Sequence, residues 1–350
     1  MQKSLIDSKS QTENMAEKKF TPNAPSQMGN MKRRQFMKAV CSTGILMATS
    51  SLPAMADDDP SVFPKRGGFE RLSVSYATVH IGLKEPFSVM HISDTHLTAA
   101  YPHESDTKQQ LHRIRTTTFG GRQEEALRDS LDWARKHVDY VIHTGDLIDW
   151  QSEANYDLVR KYLGDNIVCA LGNHEFSPDM WLSNPKEEHT EAFRQLSRDA
   201  LQRVFPFDLG FHSQVVRGVN FIVMDDVYGT VNAEQVSRFN EEVERGLPIV
   251  LCMHVPFYTD DIWRATCRYW KGKEGERFRT SVTKPSGDYR AQLDDAVTHD
   301  FIRSLRQQPL LKAILCGHEH ITVEDRFSPT AMEYVVGGNY MFHAREILFV

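Results

Sequence analysis

The chain has 350 residues, 40% hydrophobic and 25% charged, so it can bury the core of one large α/β domain or two small ones. Its net charge of -6 argues against a general nucleic-acid or membrane-surface binder. Five cysteines without CxxC or zinc-finger spacing do not make a disulfide framework. The fifteen histidines are more informative, because five of them lie at the ends of predicted strands.

The first 56 residues are predicted to lie outside the fold. Residues 1–30 are polar and without an apolar period, which predicts a disordered extension or a mis-assigned start. Residues 31–56 are typical of a signal peptide: a basic start, a short apolar run and a small-x-small cleavage site ending at Ala56. The apolar run is too short for a spanning helix. The alternative is a polybasic tail that precedes a buried helix.

Arg33-Arg34, followed by Phe36 and Lys38, is similar to a twin-arginine export signal. This pattern predicts that the export machinery is a partner and that the mature protein is periplasmic or extracellular in a bacterium. Substrates of that pathway fold in a reducing cytosol before export. We therefore expect no required disulfide among Cys169, Cys252, Cys267 and Cys316.

From residue 57 onward, predicted strands and helices alternate, which favours an α/β fold with ligands beyond the carboxyl ends of the strands. Two stretches interrupt the pattern: residues 98–122, predicted as a long loop, and the basic, aromatic residues 258–295. The second is either a solvated excursion or a lid that contacts the substrate. Predicted strands are 72–81, 87–93, 140–145, 166–171, 214–225 (a hairpin), 247–253, 311–316, 333–336 and 346–350, and predicted helices are 123–138, 156–162, 187–204, 233–245 and 296–306.

Residues that can bind metal ions follow five of these strands. Positions i and i+2 of an extended segment point the same way, so Asp94 and His96 can bind one ion together. A mixed set of carboxylate, imidazole and carboxamide groups suits Mn, Fe, Zn or Co better than a soft metal or calcium. The candidate ligands are Asp94, His96, Asp146, Asn173, His254, His318 and His320.

The size of this set predicts two metal ions. Seven ligands are too many for one ion and fit two ions that share a carboxylate. Two ions roughly 3.5–4 Å apart can hold a bridging hydroxide and contact both the attacking and the leaving oxygen of an in-line displacement. His174 is surplus to the ligands, so we expect it to face the substrate and either to protonate the leaving oxygen or to stabilise charge there.

The strand-end residues form five sequence blocks in a fixed order. They are Asp-x-His at 94–96, Gly-Asp-x-x-Asp at 145–149, Gly-Asn-His-Glu at 172–175, His-Val-Pro at 254–256 and Gly-His-x-His at 317–320. Together they resemble the calcineurin-like binuclear metallophosphoesterases, from about Phe87 to the C-terminus. The resemblance implies a four-layer α/β-β/α sandwich of two facing mixed sheets flanked by helices. It also implies a single domain over residues 57–350, with insertions at about 98–122 and 258–295.

The resemblance also implies a role for each block. His174 matches the family's catalytic histidine that binds no metal, and Asp149 and Glu175 are predicted to brace loops. One ion would be held by Asp94, His96, Asp146 and His320, and the other by Asp146, Asn173, His254 and His318.

Several positions depart from known branches of the family. Ser/Thr protein phosphatases have Arg-Gly where this chain has Trp150-Gln151, and Arg before Gly-Asn-His-Glu, where this chain has Ala170 and Leu171. Purple acid phosphatases need a Tyr ligand where it has Asp149. The remaining interpretation is an exported phosphodiesterase or phosphohydrolase that acts on a small-molecule or headgroup phosphoester. The alternative is a catalytically silent scaffold that binds a partner through residues 258–295.

Overall fold

The computed structural model describes residues 71–164, 166–179, 191–270 and 295–350. The predicted extension at 1–30 and the predicted signal peptide at 31–56 lie outside these residues, as do positions 271–294 of the second insertion. Among the described residues, no helix is both long and apolar enough to cross a membrane.

Eleven strands and seven α-helices lie within the described ranges. The strands are β1 (Ser73–Val79), β2 (Phe87–Ile92), β3 (Tyr140–Thr144), β4 (Ile167–Ala170), β5 (Phe211–Val216), β6 (Val219–Met224), β7 (Ile249–Cys252), β8 (Leu311–Cys316), β9 (Val323–Arg326), β10 (Met332–Val335) and β11 (His343–Phe349). The helices are α1 (Asp106–Thr118), α2 (Gln123–His137), α3 (Glu153–Tyr162), α4 (Glu191–Leu201), α5 (Ala233–Glu244), α6 (Asp260–Tyr269) and α7 (Ala296–Leu305).

These strands form two mixed sheets. The first has the order β1-β11-β2-β3-β4, and only its β11–β2 pair is antiparallel. The second has the order β5-β6-β7-β8-β10-β9, with parallel pairs in the middle and an antiparallel pair at each edge. As predicted, β1 is an edge strand.

The two sheets pack face to face. Phe87 and Val89 of β2 share an apolar cluster with Phe221 of β6, and the rings of Phe87 and Phe221 are 6.5 Å apart. Met90 and Ile92 of the same strand point to the opposite face of the sheet, into a second cluster with the apolar side of α2. A third cluster joins the outer face of the other sheet to α5, α6 and α7. The layers are therefore helix, sheet, sheet, helix, which confirms the predicted fold class.

Three elements of the structure lie outside the predicted set: helix α1, strand β9 and helix α6, which lies within the second insertion. Residues 98–122, predicted as a loop, contain helix α1, which begins after an Ser105 cap whose side chain accepts from Lys108 N. Only Leu111 of this helix is buried, so its sequence has no apolar face to reveal it. Strand β9 was also not predicted, because it is a short edge strand with alternating exposed charged residues.

Candidate metal centre

The carboxyl ends of five strands meet at one edge of the sandwich. Strands β2, β3 and β4 of the first sheet and β7 and β8 of the second each continue into a short loop there. Because the sheets face each other, loops from both converge, and the structure brings all the predicted site residues into one region. They are Asp94 and His96 after β2, Asp146 after β3, Asn173 and His174 after β4, His254 after β7, and His318 and His320 after β8.

The backbone is left-handed at five of these positions. This conformation is uncommon for residues other than glycine, and it turns each side chain out of the direction of its strand. The φ angles are 54° at Asp94, 51° at His96, 55° at Asp146, 66° at His318 and 55° at His320.

One group of side chains contains Asp94, His96, Asp146 and His320. His96 Nε2 lies 3.1 Å from His320 Nε2 and 3.7 Å from Asp146 Oδ2. His320 Nε2 lies 3.3 Å from Asp94 Oδ1. All four donor atoms lie within 4.8 Å of one another, which is close enough to bind one ion.

A second group contains Asp146 again, with His254 and His318. His254 Nε2 lies 3.3 Å from Asp146 Oδ2, 3.1 Å from His318 Nδ1 and 3.2 Å from Asn173 Oδ1. The Oδ2 atom of Asp146 therefore faces both groups.

The hydrogen bonds behind these imidazoles leave donor atoms for a metal. Asp149 Oδ1 lies 2.9 Å from His96 Nδ1, and the carbonyl oxygen of Thr144 lies 2.7 Å from His254 Nδ1. Each oxygen can only accept, so each Nδ1 carries a proton and each Nε2 is the atom turned towards the site. An Nε2 lone pair that faces the carboxylate oxygen of Asp146 is repelled by it unless a proton or a metal ion lies between them.

The electrostatics of the site agree with this donor set. Burial lowers the pKa of His96 and lowers that of His318 to about 3, so both imidazoles are neutral at pH 7. Burial opposes ionisation of Asp146, but the neighbouring His254 and His174 outweigh it and hold its pKa well below the usual range. Burial likewise opposes protonation of His254, but Asp146 raises its pKa to about 10. A proton between these two groups would be displaced when a metal binds.

His174 lies beside the two groups and forms a third cluster with His96 and Asp149. Its backbone N–H donates to Asp146 Oδ1 at 2.9 Å, and its Nδ1 lies 2.8 Å from Asp149 Oδ1. Burial lowers the pKa of His174, but Asp146 and Asp149 outweigh this effect and raise it to about 9. Its side chain is 14% exposed, so a protonated imidazole is available to a molecule bound at the site.

Glu175 is buried behind the site and braces it. Its Oε2 accepts from the backbone N–H groups of Asp146 at 3.0 Å and Gly172 at 2.7 Å, and its Oε1 accepts from Ile148 N at 3.0 Å. One carboxylate thus holds the loops after β3 and β4 together, in agreement with the bracing role predicted for Glu175.

Comparison with known families gives a match over most of this chain. The family model described as "Calcineurin-like phosphoesterase" matches residues 87–322, which contain all five blocks. The chain belongs to the calcineurin-like phosphoesterase family. Membership in this family supports hydrolysis of a phosphoric ester as the activity, and the clustered His and Asp residues fit a binuclear metal site.

Solved structures include several similar chains. A dimetal phosphatase from Danio rerio is 14% identical with a TM-score of 0.40, over 73% of this chain and 88% of that one. A 5'-nucleotidase from Candida albicans is 15% identical with a TM-score of 0.33, over 77% of this chain and 46% of that one. A phosphopantetheinyl hydrolase from Mycobacterium tuberculosis is 13% identical with a TM-score of 0.34, over 73% of this chain and 91% of that one. Comparison with curated proteins finds no match.

This calcineurin-like phosphoesterase also has site neighbours that the sequence did not reveal. Arg115 of α1 contacts Asp149, and Phe119, directly after that helix, stacks on the His96 ring with centroids 4.3 Å apart. Tyr340 and Trp270 lie beside His320, at centroid distances of 5.3 and 6.0 Å. Arg115, Phe119 and Trp270 lie in the two insertions, and Tyr340 lies four residues beyond a predicted strand, so the strand-end pattern that revealed the other site residues could not identify them.

Proposed function

We propose that the protein is an exported, metal-dependent phosphoester hydrolase of the phosphodiesterase or phosphohydrolase type. The observation that carries this proposal is the position of Asp146 Oδ2, which lies 3.7 Å from His96 Nε2 in one group and 3.3 Å from His254 Nε2 in the other. A single carboxylate oxygen between two sets of nitrogen and oxygen donors is the arrangement expected for two metal ions that share one ligand.

The proposed ligands divide as the two groups do. Asp146 is shared, and Asn173 completes the second set, since its Oδ1 lies 3.2 Å from His254 Nε2. Nitrogen and oxygen donors without a thiolate suit Mn, Fe or Zn. The first ion would be held by Asp94, His96, Asp146 and His320, and the second by Asp146, Asn173, His254 and His318.

When bound, the two ions would supply Lewis-acid chemistry, lowering the pKa of water and neutralising charge on the phosphate oxygens. The protein supplies the remaining groups. As a water oxygen bonds to phosphorus and the ester P–O bond breaks, His174, protonated and held by Asp149 through Nδ1, would donate its Nε2 proton to the leaving oxygen. Asp149 would then stabilise the orientation of the neutral imidazole until it is protonated again.

The proposed substrate is a small-molecule or headgroup phosphoester, since the positions that distinguish protein phosphatases and purple acid phosphatases differ here. Trp150 is fully buried and packs in the core, so it cannot contact a phosphate as an arginine at that position would. Asp149 contacts His96 and His174 from behind, whereas a Tyr ligand would face the metal. Export is supported by Arg33-Arg34 and the signal-peptide pattern of residues 31–56.

Hydrolysis of bis(p-nitrophenyl) phosphate in the presence of Mn²⁺ tests the proposal. The wild-type protein, Asp146→Asn and His174→Ala would be compared, with the exposed His80→Ala as a matched control. We expect wild type and His80→Ala to be equally active, His174→Ala to lose about 10²–10⁴-fold in kcat, and Asp146→Asn to be inactive. Equal hydrolysis by all four proteins would exclude this site as the source of activity.

A further inference from the structure

We infer that Arg115 is a positioning residue for both histidines that Asp149 holds. This inference rests on the proposed function and goes further, because it gives the first insertion a role at the site. Arg115 Nε lies 2.5 Å from Asp149 Oδ2, and its Nη2 lies 2.9 Å from Asp149 Oδ1. Two parallel N–H bonds from one guanidinium fix a carboxylate in its plane as well as in position.

The carboxylate held in this way controls two imidazoles at once. Asp149 Oδ1 lies 2.9 Å from His96 Nδ1 and 2.8 Å from His174 Nδ1. His174 Nδ1 also lies 3.1 Å from the backbone carbonyl oxygen of Asp149, so this one residue holds both Nδ1 atoms. Both Nε2 atoms point away from Asp149, towards Asp146 Oδ2 at 3.7 and 4.0 Å. Any rotation of the Asp149 carboxylate would therefore misalign a proposed metal ligand and the proposed general acid together.

Burial makes the arginine necessary for this arrangement. Asp149 is fully buried, and an ionised carboxylate in such a place is costly unless a positive group is paired with it. The side chain of Arg115 is 20% exposed, so its own charge keeps some contact with water. Without Arg115, the charge of Asp149 would have to be balanced by the two imidazoles that it positions.

The same end of α1 also holds the ring of His96 from its face. Phe119 follows the last turn of α1, four residues after Arg115, and stacks on His96 at 4.3 Å with planes 11° apart. The guanidinium carbon of Arg115 lies 4.8 Å from the centre of the Phe119 ring. The C-terminal end of α1 thus contacts His96 at the face of its ring, through Phe119, and at Nδ1, through Arg115 and Asp149. Two separate contacts with one imidazole are not expected of a loop that only covers the surface.

The test compares Arg115→Ala and Arg115→Lys with the wild type, with Arg113→Ala as control. Arg113 is an exposed arginine on the same helix, so its removal costs the same charge away from Asp149. Steady-state hydrolysis of bis(p-nitrophenyl) phosphate gives kcat and KM, and calorimetric titration with Mn²⁺ gives metal affinity independently of activity. Circular dichroism and thermal unfolding identify any variant that does not fold.

We expect Arg115→Ala to lower kcat about 10–100-fold and to weaken Mn²⁺ binding by about 10–100-fold, with KM within twofold of wild type. Arg115→Lys keeps the charge but not the paired hydrogen bonds, so its kcat and Mn²⁺ affinity should lie between those of the wild type and of Arg115→Ala. If Arg115→Ala does not fold, Arg115→Lys is the variant that tests the inference. Arg113→Ala should match the wild type.

Two results would overturn the inference. If Arg115→Ala raises KM and leaves kcat unchanged, the arginine binds substrate directly and does not act through Asp149. If both Arg115 variants match the wild type in kcat and Mn²⁺ affinity, the contact with Asp149 has no consequence at the site. An inactive wild type would instead refute the proposed function, and Mn²⁺ affinity would still decide the role of Arg115.

Discussion

Gly172 lies so close to Asp146 that a β-carbon on it would overlap Oδ1 of the carboxylate and the backbone nitrogen of the same residue. Only a residue without a side chain at position 172, in the loop after β4, therefore allows the Asp146 carboxylate to occupy its position. Glu175 Oε2 accepts from the N–H groups of both residues and fixes this close approach.

We expect Gly172→Ala to damage the site far more than the fold. Displacing the carboxylate by about an ångström should lower kcat/KM roughly 100-fold or more, because proposed ligands of both ions would shift with it. Gly164→Ala is the matched control, since a β-carbon there meets no described atom within 4 Å. Kinetics and thermal unfolding of both variants check this prediction, which would be wrong if the two had the same activity.

The sharing of Asp146 predicts an unequal loss of metal among ligand variants. Asp146 Oδ2 faces both groups, whereas His254 belongs to one of them. We expect about two ions per wild-type chain, about one in His254→Ala and close to none in Asp146→Asn. Elemental analysis after saturation with Mn²⁺ and desalting measures these ratios. If Asp146→Asn retained two ions, Asp146 would not be the shared ligand.

Glu333 should make the stability of the protein depend on pH. It is fully buried, its Oε1 accepts from Phe257 N at 2.7 Å, and burial raises its pKa to about 8. The pKa of Glu333 is higher in the folded chain than in the unfolded chain. Its contribution to the free energy of unfolding is therefore fully present below about pH 4.5 and is lost as the pH rises through 8. From pH 6 to 9 the free energy of unfolding should fall by roughly 1–3 kcal/mol on this account.

Glu333→Gln is nearly isosteric with the protonated acid and has no charge to bury. We expect this variant to lose that part of the pH dependence and to be more stable than the wild type at pH 9. Denaturant unfolding at pH 6 and 9 measures both quantities, with the exposed Glu85→Gln as control. An unchanged slope in Glu333→Gln would assign the pH dependence to another group.

The export proposal depends on two residues. Replacing Arg33 and Arg34 by Lys keeps the charge of the segment, and we expect it to retain the protein in the cytoplasm, because the pathway recognises the arginine pair. The double change of Lys18 and Lys19 to Arg, upstream of the motif, is the control and should be exported normally. Fractionation of a bacterium that has the twin-arginine pathway gives the result. Full export of the Arg33→Lys, Arg34→Lys protein would exclude a twin-arginine signal.

The strand-end residues could be predicted because each is marked locally. An apolar run ending in a polar residue such as Asp146 or His254 identifies a buried strand and its exit without knowledge of the fold. The alternation of such strands with helices predicts an α/β fold, and the four-layer sandwich is implied by the family resemblance of the five blocks.

The contacts around Asp149 could not be predicted in this way. Arg115, Asp149 and His174 are separated by tens of residues, and only the packed structure brings them within hydrogen-bond distance. Helix α1 was missed for a related reason. It carries a single buried residue and is held by its Ser105 cap and the Arg115–Asp149 contact, so its stability comes from interactions that hydrophobic periodicity does not record.

The left-handed backbone at five candidate ligands opposes the stability of the fold. Each such residue costs roughly 1–2 kcal/mol relative to a right-handed conformation, and glycine or asparagine would occupy these positions more easily. Asp and His enter the left-handed region more readily than most side chains, but glycine would do so at lower cost, so the side chains of Asp94, His96, Asp146, His318 and His320 are expected to be needed for binding. Metal ions that bind the folded chain and not the unfolded chain would offset this strain. The thermal stability of the protein would then rise with the concentration of metal.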